Sequence, residues 1–178
     1  MGKSRNLATN SGCKWQRVET RLTGFIGKYA TTMDDKGRCI LPAKLRSVVD
    51  DSGKSLLDGE ILITKGLEGC LSVYPFGEWA AIQERLSSLD FTDQSYRSFS
   101  RRFYSLAAPV ALDRSGRILI PSHLISEASL EKELAVIGVN RSIEIWNPTM
   151  LKFYLEQYAG KYEEVAARLF SGNEQSGE

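Results

Sequence analysis

Two short segments of this 178-residue chain combine a carboxylate, a glycine and an arginine at the same spacing. Residues 34–38 read Asp-Asp-Lys-Gly-Arg, and residues 113–117 read Asp-Arg-Ser-Gly-Arg. Aspartate at the first position of a β-turn accepts backbone N–H bonds, and glycine at the fourth tolerates a positive φ. The arginine that follows projects from a fixed backbone. Arg38 and Arg117 can therefore offer a planar donor fork to an anion or to a guanine edge.

The acidic residues of these turns also raise the question of catalysis. Asp34, Asp35 and Asp113 could act as a carboxylate pair, but a turn-forming hydrogen bond already explains an aspartate in this position. His123 is the only histidine, so a Ser/His/Asp or Cys/His catalytic set would have to use this one residue. No phosphate-binding glycine loop or cluster of metal ligands is recognisable. The sequence therefore predicts no enzyme, no metal site and no cofactor.

Both turns belong to a longer internal repeat. At an offset of 79 residues, five residues recur in order: Asp34, Gly37, Arg38, Pro42 and Leu45 return as Asp113, Gly116, Arg117, Pro121 and Leu124. A second match, at an offset of 72, aligns residues 66–74 with 138–146. Two ordered matches indicate a duplicated structural unit rather than chance similarity.

Each copy has the pattern of strand, turn, strand and short helix, followed by a β-hairpin. An apolar stretch runs from the arginine to Pro42 or Pro121, and proline suits the first position of a helix. The strands of the predicted hairpins are residues 61–64 with 70–74, and 134–139 with 142–146.

The paired Asp-x-x-Gly-Arg units, each with an apolar continuation to proline, resemble the AbrB-type swapped-hairpin β-barrel. Two such units in one chain, each followed by a Tyr-Pro or Trp-Asn-Pro helix start, are similar to the MraZ family of bacterial transcriptional regulators. The similarity runs from about residue 25 to about residue 170. It implies a mainly β fold with helices (α+β), in which a duplicated AbrB-like, double-psi-type swapped-hairpin barrel has flanking helices.

We expect five parts along the chain. They are a disordered basic extension (1–24), a first repeat with its helix (25–90), a connecting helix (91–108), a second repeat with a C-terminal helix (109–170) and a disordered tail (171–178). The helices carry aromatic stripes, such as Tyr96, Phe99 and Phe103. Such stripes usually pack on a core, and these also suit contacts between subunits.

The distribution of charge is more informative than its total. The whole chain carries +1, yet residues 1–46 contain ten basic and three acidic residues, which gives +7 there and −6 in the remainder. A basic face on a near-neutral protein attracts phosphates. The alternative for residues 1–28 is an ordinary solvated basic tail.

The resemblance implies that the chain binds duplex DNA, in the cytoplasm and associated with the nucleoid. Its target would be G-rich direct repeats in the promoter of the division and cell-wall gene cluster, bound by a ring-shaped homo-oligomer, possibly an octamer. The expected DNA-binding residues are Arg38 and Arg117 for guanine, with Lys36, Lys44 and Arg46 for phosphate. Arg46 matches a DNA-contacting position in AbrB-type proteins. The second copy has Ile125 there and Ser115 in place of Lys36, so we expect the first copy to dominate.

Two alternatives stay open. Each arginine could instead pair with its own turn aspartate, and the whole chain could be an adaptor module that binds protein segments.

No apolar stretch is long enough for a membrane helix, and the basic N-terminus lacks the apolar region of a secretory signal. Cys13, Cys39 and Cys70 lack the spacing of a zinc site and are expected to be reduced thiols.

Overall fold

The computed structural model describes residues 24–171, in which each copy of the repeat supplies four strands. The first copy contains β1 (Phe25–Thr32), β2 (Arg38–Ile40), α1 (Ala43–Arg46), β3 (Glu60–Lys65), β4 (Leu71–Pro75) and α2 (Phe76–Ser87), and α3 (Gln94–Ser105) follows it. The second copy contains β5 (Ala108–Ala111), β6 (Arg117–Leu119), α4 (Ser122–Glu127), β7 (Glu133–Asn140) and β8 (Ile143–Trp146). It ends with α5 (Pro148–Tyr158), a 3-10 turn (Ala159–Lys161) and α6 (Tyr162–Ser171).

Strands of the two copies pair with each other rather than only among themselves. A six-stranded antiparallel sheet has the order β1-β7-β8-β4-β3-β5, and β2 pairs with β6 in a separate ribbon. Exchanging the two copies maps this order onto itself, which gives the molecule an internal pseudo-two-fold symmetry. Because β1 pairs with β7 and β5 with β3, neither copy forms the sheet alone. The predicted α+β fold built from swapped, duplicated units is confirmed.

Both copies contribute to one hydrophobic core. Cys39 of β2 and Ile118 of β6 lie opposite each other and are buried, as are the flanking residues Leu41 and Ile120. Successive strand residues point to opposite faces. The same alternation therefore turns the residues on either side of Cys39 and Ile118 outward.

Both hairpins and the long helices lie where the sequence predicted them, but the short helices differ in detail. Pro42 and Pro121 are the N-cap residues of α1 and α4 rather than their first helical residues, because their ψ angles of 137° and 141° are extended. Helix α3 begins after Asp93, whose side chain accepts a hydrogen bond from the Ser95 N–H at 2.7 Å.

The aromatic stripes are only partly buried. Trp79 of α2 is 6% exposed and stacks on Phe103 of α3, with ring centroids 5.2 Å apart. Phe99, the next ring along α3, is 44% exposed, and α6 has no buried residue. The helices thus present apolar surface that the other described residues do not cover.

The expectations for residues 1–23 and 172–178 lie outside the described residues. Ser171, which we assigned to the tail, is the last residue of α6. Across residues 24–171, every helix is too short or too polar to cross a membrane.

Candidate nucleic-acid interface

The turn before β2 is closed by Asp34. Its Oδ1 accepts hydrogen bonds from the backbone N–H groups of Lys36 and Arg38, both at 3.0 Å, and its carbonyl accepts from the Gly37 N–H at 2.9 Å. Gly37 has φ +79°, which L side chains rarely adopt. The predicted Asp-x-x-Gly turn is therefore present.

The turn before β6 repeats this geometry. Asp113 Oδ1 accepts from the N–H groups of Ser115 at 2.8 Å and Arg117 at 3.0 Å, and Gly116 has φ +76°. Two turns of the same construction therefore lead directly into the two strands of the ribbon.

In both turns the arginine side chain is held by the aspartate. Arg38 donates from Nε and Nη2 to Asp34 Oδ2, each at 2.8 Å, and Arg117 donates from Nε to Asp113 Oδ2 at 2.7 Å. The side chains of Arg38 and Arg117 remain 36% and 34% exposed. A guanidinium has five N–H donors. The pair with aspartate therefore orients the group and leaves Nη1 donors for a ligand, so the ion-pair alternative and a binding role are compatible.

These contacts also fix the charge of the carboxylates. The backbone N–H of Arg38, and then its side chain, lower the pKa of Asp34 to about 2, and the same interactions with Arg117 lower the pKa of Asp113. Both carboxylates stay ionised and hydrogen-bonded at neutral pH, which makes them poor proton acceptors. Their geometry is that of structural anchors.

The ribbon brings the two arginines onto one face. Arg38 lies opposite Leu119, and Arg117 lies opposite Ile40, with the buried Cys39–Ile118 pair between them. Opposite residues in an antiparallel pair are about 5 Å apart, and alternate residues of a strand are about 7 Å apart. The outer face of the β2–β6 ribbon, which we call the reading face, therefore carries an arginine at each diagonal end.

The other predicted phosphate contacts do not all lie beside Arg38. Lys36 and Lys44 are exposed on the first turn and on α1. Arg46 is half-buried, and its Nε donates to the Leu41 carbonyl at 2.9 Å. Its guanidinium covers Gly116, where an added Cβ would lie 2.6 Å from Arg46 Cζ. The grouping of Arg46 with the first turn was wrong.

Strand exchange explains this difference. Each short helix covers the turn of the other copy, because Ile125 of α4 lies above Gly37 as Arg46 of α1 lies above Gly116. Sequence order could not reveal this, since it depends on which strands pair. Arg46 supports the turn that presents Arg117.

Three residues near the two arginines were not predicted as part of the candidate interface. Arg114 is exposed in the second turn, where the first turn has Asp35, so the second turn is not poorer in positive charge. Ile40 and Leu119 are 48% and 55% exposed on the reading face. In the sequence, residues 39–41 form one continuous apolar stretch, in which the outward position of Ile40 is not evident. A strict strand alternation would have placed Ile40 on the same side as Arg38.

The remaining reactive groups of the described residues do not form a separate metal or thiol site. Within residues 24–171, no group of three or more His, Cys, Asp or Glu side chains could hold a metal ion. Cys39 and Cys70 are buried, and burial raises the pKa of each thiol to about 12. Cys13 lies outside the described residues.

Known proteins match this chain over nearly all of its described length. The family described as "MraZ protein, putative antitoxin-like" matches it twice, over residues 25–102 and 103–173. A protein of Heliobacterium modesticaldum named "Transcriptional regulator MraZ" is 41% identical over 145 residues, or 82% of this chain and 96% of the relative. A protein of the same name from Clostridium acetobutylicum is 45% identical over 123 residues, or 69% of this chain and 81% of the relative.

Proposed function

The chain belongs to the MraZ family, and from this we propose that it regulates transcription by binding a specific sequence in duplex DNA. The observation that carries the proposal is the pair of turn-held arginines, Arg38 and Arg117, on one exposed face of a two-stranded ribbon. The major groove of B-DNA admits a two-stranded ribbon, and an arginine fork matches O6 and N7 of guanine. The reading face combines these two requirements.

The position and exposure of each basic residue determine whether it contacts a base or a phosphate. Arg38 and Arg117 contact guanine edges from the reading face. The exposed cations around it, Lys36, Lys44 and Arg114, contact phosphates and fix the position of the ribbon on the duplex. Arg46 holds the second turn, and the outer edge of its guanidinium adds to the positive potential there.

One ribbon spans too few base pairs for tight, specific binding. Several subunits that engage neighbouring repeats raise the affinity without new kinds of contact. We therefore include a ring-shaped homo-oligomer, G-rich direct repeats about one helical turn apart and association with the nucleoid in the proposal. The exposed apolar side chains of α5 and α6, including Tyr158, Leu169 and Phe170, support assembly. By family resemblance, the target is the promoter of the division and cell-wall gene cluster.

The proposal is tested by removing one arginine at a time. A duplex selected from a random pool with the wild-type protein serves as the operator, and affinity is measured by fluorescence anisotropy. A lost bidentate pair contributes about 1–3 kcal/mol, which is roughly fivefold to 150-fold in affinity, from every engaged subunit. Arg38→Ala and Arg117→Ala should weaken binding to similar extents, because their contacts and exposure match.

The matched control is Arg141→Ala. Arg141 is 75% exposed in the turn between β7 and β8, where it forms a 3.6 Å ion pair with Glu78. This variant removes the same charge from another surface and should retain nearly full operator affinity. Equal losses in all three variants, with circular dichroism unchanged, would mean that only net charge matters and would overturn the assignment.

A second function, a peptide-binding adaptor, has one observation in its favour. A cavity of about 940 Å³ lies between the β3–β4 hairpin and helices α2 and α3, and Tyr74, Phe99 and Phe103 are among the residues that line it. Such a groove can accept an apolar segment. If the chain is an adaptor, its retention on a heparin column should be weak and independent of salt. If it is a DNA-binding regulator, its retention should fall steeply as the salt concentration rises.

A further inference from the structure

Two exposed aliphatic side chains share the reading face with the arginines. Ile40 and Leu119 are 48% and 55% exposed, while Cys39 and Ile118 between them are buried. A single exposed aliphatic residue is ordinary. Here two occupy equivalent positions in the internal symmetry, and each lies directly across the ribbon from an arginine.

We infer that Ile40 and Leu119 contact the C5-methyl groups of thymines next to the guanines read by the arginines. The inference rests on the proposed function and adds to it the part of the sequence that is not guanine. In the major groove, the thymine methyl is the apolar feature that distinguishes this base, and apolar side chains recognise it by contact.

The register of the ribbon gives the spacing of these contacts. Ile40 lies opposite Arg117, and Leu119 lies opposite Arg38. Opposite side chains are about 5 Å apart, and alternate ones on a strand are about 7 Å apart. Successive bases are about 3.4 Å apart along the duplex. The thymines should therefore lie one or two base-pair steps from the guanines of the same subunit's site.

The charges around the pair favour DNA over an apolar protein partner. Arg38 and Arg117 flank the aliphatic residues, with the exposed cations Lys36 and Arg114 in the adjoining turns. A flat apolar partner would bury both Asp–Arg pairs without replacing their contacts with water, which is costly. The major groove offers acceptors to the arginines and methyl groups to the aliphatic side chains at once.

Replacing thymidine by deoxyuridine in the operator removes only the methyl group and leaves the protein unchanged. Each thymine of one repeat is replaced in turn, in the duplex selected as described above. For the wild-type protein we expect about a fourfold loss of affinity at one or two positions, the equivalent of one buried methyl-sized group. These positions should lie within two steps of a guanine that Arg38 or Arg117 requires.

Protein variants assign each methyl to its side chain. Ile40→Ala should bind thymine and uracil equally at one position, and Leu119→Ala should do so at the other. Ile26→Ala is the matched control, because Ile26 is 53% exposed on β1 and pairs with Val139, outside the ribbon. This control should discriminate thymine from uracil as the wild-type protein does.

The outcomes separate this inference from the function on which it rests. If uracil is tolerated at every position while binding still requires both arginines and their guanines, the thymine contacts are disproved and the regulator remains. If Ile40→Ala and Leu119→Ala keep the full thymine preference of the wild type, the assignment to these side chains is equally disproved. If no sequence is selected at all, the proposed function itself fails.

Discussion

At the scale of single residues, Arg38 and Arg117 are oriented by the aspartates of their own turns. Asp34 holds the backbone of its turn with Oδ1 and the guanidinium of Arg38 with Oδ2. Ordering a long side chain on binding costs about 0.5–1.5 kcal/mol, so an arginine that is already held loses less entropy when it binds. Under the proposed function, we therefore expect the carboxylate to strengthen DNA binding although its charge opposes the phosphates.

Removing the negative charge of Asp34 should weaken DNA binding, although the loss of a negative charge alone would strengthen it. Asp34→Asn keeps an oxygen for the turn but loses the carboxylate that orients Arg38, and should weaken operator binding about twofold to tenfold. Asp35→Asn is the control, since it removes the same charge from the next residue, which is exposed. It should leave affinity unchanged or raise it. Equal gains from both substitutions, measured by anisotropy, would show that Asp34 acts only through its charge. Because the pKa of Asp34 is about 2, the difference should be the same at pH 5 and pH 8.

At the scale of elements, Gly37 and Gly116 allow the two turns to pack closely against the other copy, and this packing positions the reading face. Gly37 combines a φ of +79° with close packing, because an added Cβ would lie 3.0 Å from the Ile120 carbonyl of the other copy. At Gly116 the added Cβ would instead meet the end of the Arg46 side chain, which can move. The first turn is therefore the less tolerant of the two.

The chain provides its own control for this claim. Gly53 ends a turn of the same type, in which Asp50 Oδ1 accepts from the Ser52 and Lys54 N–H groups. It has φ +85°, and no atom of residues 24–171 lies within 4 Å of the position of an added Cβ. Gly53→Ala should lower the free energy of unfolding by about 1–2 kcal/mol, the cost of the left-handed conformation. Gly37→Ala should lower it further and also weaken operator binding. Equal losses of stability in urea titrations would show that the contact with Ile120 is unimportant.

The sequence was sufficient for some elements and not for others. The offset of 79 residues identified both turns, and local patterns located both hairpins and the helices after Pro75 and Pro148. Local patterns could not show which strands pair across copies, because β1–β7 and β3–β5 contacts join distant parts of the chain. For this reason Arg46 was assigned to the wrong turn, and the first copy was expected to dominate.

At the scale of the whole molecule, the C-terminal helices α5 and α6 carry the largest group of exposed apolar side chains among the described residues. Leu169 and Phe170 of α6 are 67% and 84% exposed, and α6 has no buried residue. We predict that the wild-type protein elutes well above its 19.9 kDa mass, and that Leu169→Ser with Phe170→Ser reduces the mass measured by light scattering. Circular dichroism should stay native, since these side chains do not belong to the core.

Loss of assembly should also remove the preference for tandem sites. The double variant should bind a tandem array no more tightly than a single repeat, whereas the wild-type protein should prefer the array strongly. Ile26→Ser, on β1, is the control and should keep both the mass and the preference. A wild-type monomer that binds one repeat as tightly as an array would contradict the multivalent account.

The most direct test of the central claim, that the reading face recognises guanine, is a thermodynamic cycle between one arginine and one base atom. Each guanine of a repeat is replaced by 7-deazaguanine, which removes the N7 acceptor, and affinity is measured for the wild type, Arg38→Ala and Arg117→Ala. We predict that the wild type loses at least about fivefold at particular guanines. Arg38→Ala should be indifferent to one of these replacements and Arg117→Ala to another. Losses of the same size in all three proteins at every guanine would show that neither arginine contacts these bases, and would contradict the account.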